Sequence, residues 1–222
     1  MGKHHKKAFE KIPAEKQDRI LYAGTAEFAA KGFPGANINR IAAKAGISIG
    51  AMYNYFGSKD DLFLTIIDRA HALLESVIDE VALADDDIFT SIEKLLRAAQ
   101  SYSKQYSELT QIYLDMTSEG LSHLSRKLSG QMETVSSRFY RAIIDKAASA
   151  GHVDGRLDIQ VAAFCLDNLI MMLQYSYASD YFKERMKIFL GPEAAQDDER
   201  IIQEMMRFIR GAFQGAAAPP GK

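Results

Sequence analysis

Ile41-Ala42-Ala43-Lys44-Ala45-Gly46-Ile47-Ser48-Ile49-Gly50-Ala51-Met52-Tyr53-Asn54-Tyr55-Phe56-Gly57-Ser58-Lys59-Asp60-Asp61-Leu62 is the stretch on which the reading of this chain turns. Gly46 suits the left-handed residue that closes a helix, and Ser48, two positions later, suits the cap of the next. Two helices joined so tightly must cross steeply. Ile41, Ala42, Ala45, Ile47, Met52 and Phe56 provide the apolar contact that seats the pair on its neighbours. This is the arithmetic of a helix-turn-helix, whose second helix enters a major groove by its N-terminal residues. Gly57 ends that helix, and Ser58-Lys59-Asp60-Asp61 resembles a capping box that opens a long helix through about Leu83.

Working outward, apolar residues three to four apart between Ala14 and Lys31 predict a first helix stopped at Gly32-Phe33-Pro34-Gly35. Asn37 caps a short helix ending near Ala45. The five prolines lie at 13, 34, 192, 219 and 220, so nothing from Gly35 to Gly191 removes a helical N–H. Nine or ten helices are expected in all, with breaks near Ser118 to Gly120, Ser129-Gly130, Gly151 to Gly155 and Gly191-Pro192. Asp158 starts the penultimate helix, through about Ser179 and on towards Leu190; Asp197 or Asp198 starts the last, which ends between Gly211 and Gly215. The fold class expected is all-α. Residues 1–57 are expected to form an N-terminal tail and helix-turn-helix head, 58–215 a second helical domain joined to it by the helix 58–83, and 216–222 a disordered tail.

The net charge of −2 conceals an asymmetry: residues 1–60 carry +5 and the remainder −7. A basic end on an acidic body suits a protein that presents one end to a polyanion. The single cysteine, Cys165, excludes an intramolecular disulfide framework. The most apolar run, Val161 to Leu173, is interrupted by Asp167 and Asn168 and is shorter than the ~20 residues of a membrane span. Without an apolar leader after the basic start, a cytoplasmic protein with no membrane partner is expected.

In the groove-facing segment, Ile49 suggests either apolar contact with a thymine methyl or no base readout, and Gly50 removes any side chain between backbone and phosphate. Tyr53 and Tyr55 carry hydroxyls suited to phosphates, and the Asn54 amide suits either bidentate pairing with adenine or donation to the DNA backbone. Lys59, in the first turn of the next helix, favours a phosphate. At these residues the chain resembles the TetR/AcrR family of bacterial regulators. Gly32-Phe33, Ile38, Ile41-Ala42, Ala45-Gly46-Ile47-Ser48, Gly50, Met52-Tyr53, Tyr55-Phe56 and Ser58-Lys59-Asp60-Asp61-Leu62 follow the family pattern in order and without gaps, over about residues 13–65. Ala36-Asn37 stands where Thr-Thr is usual, and Ile49 where a basic or polar residue is common.

The resemblance implies DNA contact from Asn37, Ser48, Ile49, Gly50, Ala51, Tyr53, Asn54, Tyr55 and Lys59. It also implies a pocket among the middle helices, with Tyr102, Tyr106, Tyr113, Met116, Met132, Phe139, Cys165, Asn168, Met172 and Tyr175 as candidates. Val161, Cys165, Asn168, Met172 and Tyr175 fall on one helical stripe that mixes apolar bulk with polar groups. Ile201, Ile202, Met205, Phe208, Ile209, Ala212 and Phe213 form a wide apolar stripe on the last helix, fit for a four-helix dimer interface with the helix at 159–178. The function expected is a repressor that binds palindromic double-stranded operator DNA as a homodimer and is released by a small, mostly apolar inducer.

Two rivals stand beside this. Asp85-Asp86-Asp87 invites comparison with helical diphosphate enzymes, but Phe89 and Thr90 break the Asp-Asp-x-x-Asp spacing, and capping explains three acids at a helix start. The other is a DNA-binding protein of the same fold without a small-molecule ligand. His4-His5, His71, His123 and His152 have no ligand spacing, so neither a metal nor a cofactor is expected.

Overall fold

The computed structural model describes residues 4–84, 86–116 and 122–215, with the side chains at 83 and 122–133 also outside the description. Among the described residues are eleven α-helices: α1 (Lys7–Glu10), α2 (Ala14–Gly35), α3 (Ile38–Lys44), α4 (Ile49–Tyr55), α5 (Lys59–Leu83), α6 (Ile88–Gln105), α7 (Ser107–Met116), α8 (Ser122–Ser149), α9 (Ile159–Ala178), α10 (Asp180–Leu190) and α11 (Asp198–Gln214). A 3₁₀ turn, Ala194–Gln196, precedes α11.

The helix starts lie where short polar side chains relieve the unpaired first-turn N–H groups. Asn37 accepts from Asn39 N–H at 2.8 Å, Ser48 from Ala51 N–H at 3.1 Å and Ser58 from Asp61 N–H at 3.1 Å. Asp87 caps α6 through the N–H groups of Phe89 and Thr90, Asp158 caps α9 and Asp197 caps α11. Gly46, at φ 66°, closes α3 as expected. Arg19 Nε donates to the Ala45 carbonyl at 3.1 Å, so the same turn is also fastened to α2.

Three expectations about breaks are corrected. Helix α8 runs through Ser129-Gly130 without interruption, and an unexpected break falls at Tyr106, between α6 and α7. The penultimate helix does not continue towards Leu190: Ser179 adopts extended dihedrals, φ −90° and ψ 133°, and α10 begins anew. The expected break at residues 118–120 and the tail 216–222 lie outside the described residues.

The chain divides into two compact units: residues 1–74 with 108–129, and 75–107 with 130–222. The first contains the helix-turn-helix, and the division falls within α5. Its core is Ile20, Phe28, Ile41, Met52, Phe56, Leu62, Phe63 and Ile67, all at most 2% exposed. Phe63 receives Phe28 and Phe33 edge-on at 5.1 and 5.0 Å. Gly24 lets α2 approach α5 closely, since a Cβ there would lie 2.9 Å from Ile66 Cδ1.

In the second unit α6 packs on α9 and α11, and α10 folds back on α9. A polar seam fastens these helices. Arg97 takes both carboxylate oxygens of Glu199 at 2.7 and 2.8 Å, and Tyr177 Oη donates to Asp198 at 3.0 Å while accepting from Gln100 Nε2. Lys104 pairs with Asp198 and lies over the Tyr177 ring.

Candidate nucleic-acid interface

Helix α4 is two-faced. Met52, Tyr55 and Phe56 are buried, whereas Ile49, Gly50, Tyr53 and Asn54 are exposed, with Ala51 between. A seven-residue helix with one face in a core and small or hydrogen-bonding groups on the other is shaped to insert into a groove. Ser48 and Asn37 are themselves exposed, but their side chains already accept from their own helices' N–H groups. Gly50 meets no internal crowding: a Cβ there would find only Ser48 Oγ, at 3.9 Å. Among the described residues nothing demands glycine at that position.

Two of the candidate contacts are placed differently from the sequence expectation. Tyr55 is 7% exposed and its ring packs 6.0 Å from Phe9, with Lys16 Nζ 5.7 Å from its centroid; it is a core residue, which corrects its reading as a phosphate contact. Tyr53, by contrast, is 50% exposed. Lys59 does not hold its ammonium free for phosphate. Nζ donates to the carbonyls of Phe33 at 2.7 Å and of Pro34 and Ala36 at 3.3 Å, and lies 4.7 Å from the Phe33 ring centroid. It ties α5 to the turn after Gly32, whose φ of 63° breaks α2 before Pro34.

Glu27 was not anticipated. It is 1% exposed, hydrogen-bonded by Lys44 Nζ at 3.1 Å and paired with Arg40 Nε at 3.6 Å, both on α3. Burial pushes this carboxyl up, but the Lys44 hydrogen bond, the Arg40 charge, the Asn37 backbone N–H and the Lys44 charge outweigh it and hold the group below its ordinary value. Phe9 and Lys6 were missed as well, although Phe9 and Ile12, three apart in a basic segment, carried a helical signal.

The candidate pocket residues belong to both units. On α9, Cys165 is exposed, Met172 is 40% exposed and Asn168, half-buried, donates to the Phe164 carbonyl at 2.7 Å within its own helix. Of that stripe only Tyr175 is buried, its ring 5.6 Å from Phe182. The reading of the stripe as one pocket wall is therefore corrected: most of it faces outward. Tyr102 and Tyr106 adjoin at 4.9 Å, and burial, aided by Tyr106, pushes the Tyr102 phenol up to about 12. Phe139 is half-buried in the same unit, Tyr113 and the buried Met116 belong to the other, and the Met132 side chain lies outside the described residues.

The outward face of α9 continues into α10 and α11. Val161, Phe164, Tyr181, Ile188, Phe189 and Phe208 are all more than half exposed. Between the three helices lies a groove of about 450 Å³ walled by Leu169, Met172, Phe182, Met186, Met205 and Phe208. Among the described residues no helix is long and apolar enough to cross a membrane, and no group of three or more His, Cys, Asp or Glu is placed to hold a metal ion.

A helix-turn-helix near the N-terminus followed by a separate helical unit is an architecture suited to a DNA-binding regulator. Residues 20–75 match the bacterial regulatory proteins of the tetR family. The chain is 27% identical over 201 residues to the HTH-type transcriptional regulator SrpR of Pseudomonas putida, covering 88% of this chain and 89% of that one. It shares its fold with the transcriptional regulator FadR from Bacillus subtilis in complex with stearoyl-CoA, at TM-score 0.71 and 14% identity over 88% of this chain and 98% of FadR. AibR, solved with isovaleryl coenzyme A and operator DNA, matches at TM-score 0.63 and 16% identity, over 87% and 97% of the two chains. Residues 20–75 thus carry a DNA-binding domain of the tetR-family kind, and the chain as a whole is similar to transcriptional regulators.

Proposed function

We propose that this regulator is a repressor that holds a palindromic operator as a homodimer and lets go when a small, mostly apolar ligand occupies its C-terminal domain. The observation that carries the DNA half is the outward face of α4: Ile49, Gly50, Tyr53 and Asn54 stand exposed on a helix whose opposite face is locked in the core. Asn54 reads a base, Tyr53 donates to a phosphate, and Gly50 admits the backbone close to the duplex. Lys59 and Tyr55 act behind this surface. Two reading heads related by a dyad select a palindrome, and the repressor works in the cytoplasm where that operator lies.

The exposed apolar face of α9 and the exposed Phe208 of α11 favour the dimer, whereas Ile201, Ile202, Ile209 and Phe213 of the expected α11 stripe are buried in the protomer's own core. Phe164 and Phe208, at 68% and 66% exposed, are the anchors of a surface that isolated monomers rarely carry. Acyl thioesters of coenzyme A are the first ligands to try, because FadR and AibR, which share the fold, were solved with them.

The test is selection of bound duplexes from a random library, followed by titration of variants on the recovered sequence. Asn54→Ala should erase about 1–3 kcal/mol of discrimination at one base pair of each half-site. Equal loss on specific and non-specific duplexes would leave Asn54 a backbone contact and move the base readout elsewhere.

A further inference from the structure

Residues 4–10 precede the matched pattern, which begins at residue 20, yet they are built onto the far end of the recognition helix. A helix leaves its last four carbonyls without partners of its own. In α4, Met52 O accepts from Phe56 N–H at 2.9 Å, while Tyr53 O accepts from Lys6 Nζ at 2.7 Å and Tyr55 O from Lys6 N–H at 2.8 Å. One residue, 47 positions upstream of Tyr53, thus serves two of the four, and places a positive charge at the negative end of the helix dipole.

Lys6 is itself held in place. Phe9 N–H donates to the Lys6 carbonyl at 2.9 Å, and the Phe9 ring, 2% exposed, packs 4.9 Å from Phe56 and 6.0 Å from Tyr55. His5 stands edge-on to Phe9 at 5.2 Å with Nε2 3.4 Å from Glu10, and His4 reaches Asp68 on α5 at 4.0 Å. Seven residues are too few to hold a helix by propensity alone. The two ends of α4 are therefore fixed by different means, Ser48 at the start and the upstream segment at the finish.

We propose that residues 4–10 form a clasp that sets the angle of the recognition helix, with Lys6 and Phe9 as positioning residues for DNA reading. Without it α4 samples several orientations, and the apparent affinity falls by the fraction of time spent in the competent one. The proposal rests on α4 being the reading helix. Its chief competitor is that Lys6, exposed at this end of the head, simply touches a phosphate.

Lys6→Met removes the side-chain donor and charge while retaining the backbone N–H, and Lys6→Arg restores a cationic donor. Amide hydrogen exchange of the full-length protein without DNA reads the clasp directly; titration of the selected operator at several salt concentrations reads its consequence. Expected are faster exchange at the α4 amides in Lys6→Met, operator binding weakened roughly tenfold, an unchanged salt slope, and recovery of both by Lys6→Arg. Phe9→Leu should show the same pattern more weakly. Unaltered exchange, whether with unchanged affinity or with a salt slope lowered by about one ion, overturns the clasp. Faster exchange without loss of operator affinity retains the clasp but removes α4 as the reading helix, and so overturns the positioning role.

Discussion

At the scale of single residues, the reading head depends on charges that are engaged within it. Glu27 lies under α3 with Lys44 and Arg40 above it, and a buried carboxylate is tolerated only when such partners compensate its lost hydration. Because its folded pKa lies below the ordinary carboxylate value, its stabilisation is fully present above that ordinary value and is lost as pH falls towards the folded one. Glu27→Gln should lower stability by about 1–2 kcal/mol at neutral pH and flatten the acid limb of the unfolding curve; denaturant titrations at pH 7 and pH 4 check both, and an equal loss at the two would break the assignment. Lys59 makes the complementary case. With three carbonyls on its ammonium, Lys59→Met should cost about 1–3 kcal/mol of stability, while the salt slope of DNA binding stays where it was. A slope lower by one ion would mean that the ammonium leaves those carbonyls for a phosphate when DNA binds.

At the scale of elements, what was legible was local. Asn37, Ser48, Ser58, Asp87, Asp158 and Asp197 betray their helix starts because a cap bonds within three residues of itself, and the φ of Gly46 follows from the turn it must make. What was not legible depended on partners distant in the chain. Helix α1 is four residues long and is held by Phe9 against Phe56; Tyr55 turns inward because Phe9 and Lys16 meet it; and the break at Ser179 carries neither glycine nor proline. The α9 stripe misled for a related reason: periodicity identifies a face but not what covers it. Gly50 supplies a test at this scale. Gly50→Ala is sterically free and favours the helix, so it should raise stability by about 0.5–1 kcal/mol while weakening operator binding. A variant both more stable and equally tight would show that the backbone there does not approach the duplex.

At the scale of the whole molecule, assembly and regulation must be linked through one free-energy balance. If α9 and α11 form the dimer, Phe208→Glu and Phe164→Glu each bury an unpaired carboxylate in it, a cost of several kcal/mol that separation avoids. Both variants should sediment as monomers at micromolar concentration with their helical content intact, and bind a two-half-site operator far more weakly than wild type. A wild-type monomer that still binds such an operator tightly would remove the dimer from the mechanism. Ligand release is constrained more strictly. An inducer that weakens operator binding tenfold needs about 1.4 kcal/mol of preference for the DNA-free state, and reciprocity requires saturating operator to weaken the inducer by the same factor. Calorimetric titration of an acyl-CoA hit into the free protein and into the protein–operator complex measures this directly. Equal factors in the two directions establish one coupled equilibrium. A compound that binds both forms alike occupies the protein without controlling it, however tightly it is held, because a ligand indifferent to the two states shifts neither.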